Sequence, residues 1–316
     1  MTRVLLLGGY GGFGTRIALR LANDGHDVLV AGRSLEKAER FCAGRPHLAP
    51  LALDRDHDLS EALALHRPAV VVDAAGPFQG ASYDVPRACI AAGCHYLDIA
   101  DARDFVTNIG SLDAEARAAG VVVISGASSV PALSGAAART LAEGIGDIRA
   151  VEIAISASNR ATAGPSVTKA IFSYLGRPIR LWRGRRWTIG YGWQDMRRET
   201  FAIDGHPPIE QRRVALADVP DLALLPERLA GRPTVTFRAG TEFAVHNRML
   251  WLASWLVRWG WFAALDPLVP LALRLQRLTA RLGSDRSGMI VRMFGIAEGK
   301  RVERRWTLIA NDGIGP

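Results

Sequence analysis

The feature that most restricts this chain is a set of glycines near its start. A short apolar run, Val4-Leu5-Leu6-Leu7, leads into Gly9-Tyr10-Gly11-Gly12-Phe13-Gly14, and a helical pattern follows over 12–23. Glycines at this spacing between a strand and a helix meet three separate demands. Gly9 permits a tight turn, Gly11 lets backbone approach a ligand closely, and Gly14 lets the helix pack against the strand. The helix then turns its unpaired N–H groups and the positive end of its dipole toward the loop, which suits an anion such as a pyrophosphate. Because the motif opens a strand–helix–strand pattern at residue 9, Gly9, Tyr10, Gly11, Gly12, Phe13 and Gly14 are read as a dinucleotide-binding loop.

The end of the second strand distinguishes one dinucleotide from another. An NAD-binding chain usually carries Asp or Glu there to accept bonds from the ribose hydroxyls. Here Val28-Leu29-Val30-Ala31 runs into Gly32-Arg33-Ser34 with no acid. Arg33 can pair with a 2′-phosphate, and Ser34 can add a hydroxyl while capping the next helix. The expected cofactor is NADP. Further along, Ala75, Gly76 and Phe78 follow the fourth strand, where small residues admit the nicotinamide half and Phe78 is placed to cover it. Asp54, ending the third strand, is read either as meeting the adenine edge or as shaping the next helix start.

Strand runs at 3–7, 27–31, 48–53, 69–73, 95–98 and 121–124 alternate with helical stretches at 12–23, 35–43, 59–66, 85–92 and 104–119. Nearly continuous apolar strands between helices signal a sheet covered on both faces. Ser34 and Asp58 are the expected caps of two of these helices. After residue 128 the pattern changes to strand clusters at 151–155, 187–189, 234–238, 289–296 and 302–309, the last two joined by Glu298-Gly299-Lys300 as an antiparallel hairpin. The fold class is therefore α/β, a doubly wound Rossmann-type parallel sheet over 1–128, followed over 129–316 by an α+β domain for substrate or dimerisation.

Composition narrows the function classes. The chain has 316 residues, 49% hydrophobic and 22% charged, as an ordinary globular protein has. Cys42, Cys89 and Cys94 are an odd number without CxxC spacing, so neither a disulfide framework nor a zinc site is indicated, and the histidines are isolated from other ligand types. The initial apolar run is too short for a signal peptide, and a cytoplasmic location is expected. The first 150 residues carry 14 Arg and Lys against 17 Asp and Glu, a net of −3, whereas 151–316 carry 25 against 14, a net of +11. The arginines are scattered rather than interleaved with aromatics as in a nucleic-acid module, so no nucleic-acid partner is expected. A codon bias toward arginine, an anionic substrate and a membrane surface remain open as explanations. The segment 249–275 is strongly apolar, with Trp251, Trp255 and Trp259 at helical spacing, but Arg258, Asp266, Pro267 and Pro270 interrupt it. It is read as core or homodimer-interface helices, or as peripheral membrane contact through its tryptophans.

Four segments in order, the glycine loop, Ala31-Gly32-Arg33-Ser34, Ala75-Gly76-Pro77-Phe78 and Gly93-Cys94-His95-Tyr96-Leu97-Asp98, resemble the saccharopine dehydrogenase-like oxidoreductases. The likeness continues through 126–131, 159–164, 283–289 and 306–310. It implies an NADP-binding domain followed by a substrate or dimerisation domain, acting on an amino-acid-like or other small substrate. Two departures stand out: Ala100-Asp101 replaces the Gly-Glu usual after the Tyr-x-Asp segment, and the chain ends at Pro316 where similar proteins continue, which implies a truncated second domain.

Hydride transfer needs one acid or base near the reacting carbonyl or imine. The Tyr-x-x-x-Lys of short-chain dehydrogenases is absent, since Tyr83 meets Arg87 and Tyr96 meets Ala100. The candidate catalytic cluster is Tyr96, Asp98 and Asp101, next to His95 at the fifth strand end; the alternative is that Tyr96 and Asp98 only fix the following loop. Arg160 and Lys169 are candidate carboxylate holders in the second domain. The leading expectation is NADP-dependent hydride transfer to or from a C=N, C=O or C=C bond of a small, anionic or lipid-like molecule. A catalytically silent NADP-binding sensor or scaffold and a membrane-surface reductase of lipid-type substrates are the alternatives.

Overall fold

The computed structural model describes residues 2–160, 165–262 and 265–311. Positions 161–164 of the resemblance, 263–264 of the apolar segment and the chain end at 312–316 lie outside the described residues. The chain divides into two compact units, Met1–Ser128 and Ser129–Pro316.

The first unit contains β1 (Arg3–Leu7), α1 (Gly14–Asn23), β2 (Asp27–Gly32), α2 (Leu35–Cys42), β3 (Leu48–Ala52), α3 (Leu59–His66), β4 (Val70–Asp73), α4 (Asp84–Ala91), β5 (His95–Asp98), α5 (Arg103–Asn108), α6 (Asp113–Ala118) and β6 (Val123–Ile124). Its sheet runs β3-β2-β1-β4-β5-β6, with all pairs parallel. Alternation along β1 explains the two covered faces. Val4 and Leu6 join Ala18, Val28, Val30 and Cys42 in one core cluster, whereas Leu5 and Leu7 join Leu63, Val71, Cys89 and Tyr96 in the other. Each buried leucine contributes about 1.5–3 kcal/mol of burial free energy, so the strand is anchored from both sides. All three cysteines are free and buried.

Two local expectations need correction. The helix read over 104–119 is broken into α5 and α6 by a 3-10 turn, Ile109–Leu112, which contains the weak helix former Gly110. Ser34 does cap α2, accepting a hydrogen bond from the Lys37 N–H, but Asp58 makes no capping bond to α3. Its carboxylate instead accepts from the Asp54 N–H at 3.4 Å.

The second unit contains α7 (Ser134–Ala142), β7 (Asp147–Ser156), α8 (Pro165–Tyr174), β8 (Pro178–Arg183), β9 (Arg186–Tyr191), β10 (Arg197–Phe201), β11 (Ile209–Leu216), α9 (Asp221–Arg228), β12 (Thr234–Gly240), α10 (Ala244–Arg258), α11 (Val269–Ala280), β13 (Ser287–Ala297) and β14 (Lys300–Ala310). Its main sheet runs β10-β11-β12-β7-β13-β14, parallel between β12 and β7 and antiparallel elsewhere. The hairpin of β13 and β14 turns at Glu298 and Gly299, with φ of 50° and 75°, as a two-residue turn of the favoured hand requires. The face of β7 opposite Ile153 is less wet than its alternation suggests, because Ala154 packs beneath Phe201, Ile209 and Val214.

Strands β8, β10 and β11 were not expected. Their sequences are rich in arginine, and the charges sit in the sheet because carboxylates neutralise them. Arg183 of β8 and Arg197 of β10 each lie 3.5 Å from Asp195, Arg212 of β11 pairs with Glu242 at 3.2 Å, and in the neighbouring strands Arg292 pairs with Glu199 and the buried Arg238 with Asp195.

Ser134 of α7 donates to the Asp221 carboxylate at the start of α9, tying two helices together inside the core. Burial pushes Asp221 up to about 6 from its ordinary 3.8, against the bond from Ser134. The folded unit therefore holds this proton more tightly than the unfolded chain. The resulting stabilisation is complete below about pH 4 and is lost as pH rises through about 6, by roughly 3 kcal/mol. In urea titrations across this range, Asp221→Asn should flatten that part of the pH dependence of the second unit; an unchanged slope would contradict the assignment.

Candidate functional site

The site forms where three neighbouring strands end. Leu7 of β1 is in register with Ala31 of β2 on one side and Asp73 of β4 on the other, so the loops after all three strands meet at one sheet edge. This is the position where strand order reverses, and where ligands of open α/β sheets bind.

The glycine loop shows why side chains are excluded. A Cβ on Gly14 would lie 2.1 Å from the Gly8 carbonyl oxygen and 2.8 Å from Gly9 Cα. A Cβ on Gly9 would lie 2.9 Å from Val30 Cγ1. Gly8 has φ of +70°, and a Cβ there would lie 3.0 Å from Ala74 O and from Ala75 Cα. These glycines pack α1, β2 and the β4 loop around the end of β1. Gly11 donates its N–H to the Gly8 carbonyl at 2.9 Å to close the turn, and a Cβ on Gly12 would meet nothing within 4 Å. At the start of α1 there is no side-chain cap and no acidic residue in the first turn. The N–H groups of Gly12 and Phe13 make no backbone hydrogen bond among the described residues, and the Phe13 side chain is exposed. That is the cradle an anion needs.

Tyr10 couples this loop to the β2 edge. Its ring lies on Gly32, where a Cβ would come within 2.5 Å of the hydroxyl, and that hydroxyl accepts a hydrogen bond from the Ser34 N–H at 2.9 Å. Arg33 is exposed beside it, and its guanidinium makes no hydrogen bond or ion pair among the described residues. Asp54 takes up a turn-shaping role, accepting from the Asp56 N–H at 3.1 Å. That bond holds its carboxyl below the usual range, helped by His57 and by the nearby charge of Arg33.

Beyond β4 the structure departs from expectation. Phe78 is 5% exposed and packs on Phe105 with ring centroids 5.3 Å apart, so it is a core residue and not a cover for a nicotinamide. Ala75 gives its N–H to the buried Asp73 at 2.9 Å, and a Cβ on Gly76 would lie 3.5 Å from Phe78 Cδ2, an ordinary contact. Arg55 donates to both Asp73 oxygens at 3.1 and 2.9 Å and stands over the Phe78 ring. Burial pushes the Asp73 carboxyl up, while Arg55 and the Ala75 N–H oppose the shift. A cavity of about 460 Å³ opens here, lined in part by Arg55, His57, Asp73, Phe78, Gln79 and Tyr96.

The nominated catalytic cluster separates into two environments. Tyr96 is 1% and Asp98 0% exposed. The Asp98 carboxylate accepts from the Ala100 and Gly126 N–H groups and from Ser125, each at 2.9 Å, and so joins the loops after β5 and β6. Burial raises both groups above their ordinary values, with Asp73 and Asp98 adding to the rise at Tyr96. Asp98 thus holds the two loops in place, whereas the buried Tyr96 lines the cavity beside Asp73. Asp101 is exposed and accepts from Gln79 Nε2 at 3.1 Å, bringing the β5 loop to the β4 loop. In the second unit Arg160 pairs with Asp285 at 2.9 Å and Lys169 is exposed.

Sequence reasoning missed Gly8, Arg55 and Gln79. The doublet Gly8-Gly9 held a signal for the first, since two glycines allow both a positive φ and a tight turn. No local pattern marks Arg55 or Gln79, whose partners are 18 and 22 residues away.

Residues 4–124 match the family described as the saccharopine dehydrogenase NADP binding domain. That match spans most of the N-terminal unit. No curated protein matches the chain. Among solved structures, the saccharopine dehydrogenase (L-Glu forming) of Saccharomyces cerevisiae has 14% identity and a TM-score of 0.61, over 98% of this chain and 85% of that one. The likeness shows that both units share its fold. GenD2 from gentamicin A biosynthesis, in complex with NAD, has 17% identity and a TM-score of 0.46, over 96% of this chain and 72% of that one. The Bordetella bronchiseptica enzyme WbmG, in complex with NAD, has 20% identity and a TM-score of 0.26, over 31% and 36%.

The glycine geometry yields a paired prediction. Gly14→Ala should lower the melting temperature of the first unit and abolish stabilisation by added NADPH, because the new methyl group collides with backbone. Gly12→Ala should leave the melting temperature of the ligand-free protein unchanged. Thermal unfolding with and without NADPH checks both; equal behaviour of the two variants would contradict the packing argument.

Proposed function

We propose that the protein is an NADP-dependent oxidoreductase that transfers hydride to or from a C=N, C=O or C=C bond of a small substrate. The observation that carries the NADP preference is the exposed Arg33 at the end of β2, where the strand end itself carries no acid for a ribose diol. The residues fit the cofactor. Glycine backbone and the open start of α1 would hold the diphosphate, and Arg33 with the Ser34 hydroxyl would hold the 2′-phosphate. When bound, the nicotinamide supplies the hydride chemistry. The small residues Ala74 and Ala75 leave the β4 edge accessible, while Asp73 and Asp98 hold the flanking loops in place through backbone N–H bonds. Asp101, the exposed residue of the nominated cluster, is oriented by Gln79, and desolvation pushes its carboxyl above the usual range; it is assigned to orient a substrate amine or hold a proton at its Oδ atoms.

Titration calorimetry should give NADPH a dissociation constant at least about tenfold lower than NADH. Arg33→Ala should weaken NADPH by about ten- to a hundredfold and leave NADH nearly unchanged, the loss expected for one charge-assisted bond. Equal affinity for the two cofactors would remove the NADP assignment. No heat with either would remove the cofactor reading altogether.

A further inference from the structure

Among the described residues, nothing covers one apolar side of helices α10 and α11. Toward the unit's interior, α10 directs the buried Asn247 and Ser254 and packs Leu250, Ala253 and Val257 on a cluster built around Leu175, Trp193, Ala215 and Leu265. The approach is close: a Cβ on Gly176 would lie 2.2 Å from the Ser254 carbonyl oxygen. On other faces the same helix exposes Val245, Met249 and Leu252 at i, i+4 and i+7, and Trp251 and Trp259 flank Trp255, the first edge-to-face and the second tilted. Trp261 and Phe262 follow at 73% and 47% exposure. Helix α11 continues the pattern with Leu271, Leu275 and Leu278, and Leu282 just beyond its end, at 55%, 36%, 76% and 77% exposure. A helix that is apolar on several faces belongs in a core or against a lipid phase.

Charge decides between occupants. Arg248, Arg274, Arg277 and Arg281 are exposed and make no ion pair or hydrogen bond among the described residues. Between Phe243 and Gly283 the sequence has a single acid, Asp266. A second copy of this chain meeting the same face would set arginine against arginine with almost no carboxylate to compensate. An anionic lipid surface supplies the missing charge and takes the leucines and tryptophans into its interfacial layer. No helix among the described residues is long and apolar enough to cross a membrane, so the contact is one that lies on the surface. We propose that α10, α11 and the segment Trp259–Phe262 form a peripheral docking face for anionic phospholipid membranes. This inference is independent of the cofactor assignment.

The test is co-sedimentation of the full chain with vesicles of equimolar phosphatidylglycerol and phosphatidylcholine at low ionic strength, with phosphatidylcholine vesicles alone for comparison. The protein should pellet with the anionic vesicles, release at high salt, and show a blue shift of tryptophan emission on binding. Arg274→Gln/Arg277→Gln/Arg281→Gln should lower the partition coefficient roughly a hundredfold. Leu278→Ser/Leu282→Ser should lower it about tenfold or more per leucine, with unchanged circular dichroism and melting, since both side chains are exposed. Failure of the unaltered protein to bind anionic vesicles, or binding that survives both sets of replacements, would overturn the proposal. So would a solution dimer that the leucine replacements dissociate, because it would assign the face to a second copy.

Discussion

The first unit depends on how closely α1 can approach the end of β1. Between Gly14 and the Gly8 carbonyl there is no room for a methyl group, and that contact sets where the helix begins and which way its dipole points. Because β1 lies between β2 and β4, the same contact also settles what surrounds the helix start: Gly32 and Arg33 on one side, Ala74 and Ala75 on the other. A helix displaced by the width of one side chain would leave its N–H groups aimed away from this edge. Anion binding and sheet packing are therefore one constraint expressed twice, and a chain that satisfies the packing acquires the cradle with it.

Around that edge, buried carboxylates organise backbone. Asp73 and Asp98 end adjacent strands, and each gives its oxygens to N–H groups of the loops that follow. A carboxylate suits this work because each oxygen accepts more than one bond, and a loop held by several N–H bonds has little freedom left. The cost is desolvation, which raises both carboxyls despite their partners. At Asp73 the half-buried Arg55 offsets part of that cost, which makes Arg55 a structural partner of the edge as well as a lining residue of the neighbouring cavity. The loops that flank a bound dinucleotide are thus held before any ligand arrives, so little ordering entropy remains to oppose binding.

The parallel sheet was legible because its strands are covered on both faces and read as continuous apolar runs; β1, β5 and α3 appear with the bounds their residues suggest. The close packing of Gly9 and Gly14 was legible for a related reason, since it follows from backbone geometry that a local window contains. For Phe78, Tyr96 and Asp98 the sequence left two readings open, because a residue at a strand's end can face the crevice or the core, and only the packing of Phe105 and the Ser125–Gly126 loop separates them. In the second unit, β10 and β11 escaped notice because arginines occupy positions that a half-buried strand would normally fill with apolar side chains. Their charge is neutralised in part by carboxylates distant in sequence, Arg197 by Glu152 and Arg212 by Glu242, and no local pattern reveals such pairs.

Those pairs also explain why the excess of positive charge in the second half is not spread evenly over its surface. Arg212 with Glu242, Arg238 with Asp195 and Arg292 with Glu199 are consumed inside the sheet, where an unpaired guanidinium would be expensive. The free arginines of α11 stand instead beside exposed leucines. Solvated arginines alone would cost nothing and need no explanation. Exposed leucines alone would most simply be covered by another copy of the same face. It is their combination on one short helix that conflicts with both, because the surface able to shelter the leucines must also accept the charge. Only a partner that is apolar beneath and anionic at its boundary satisfies the two demands together.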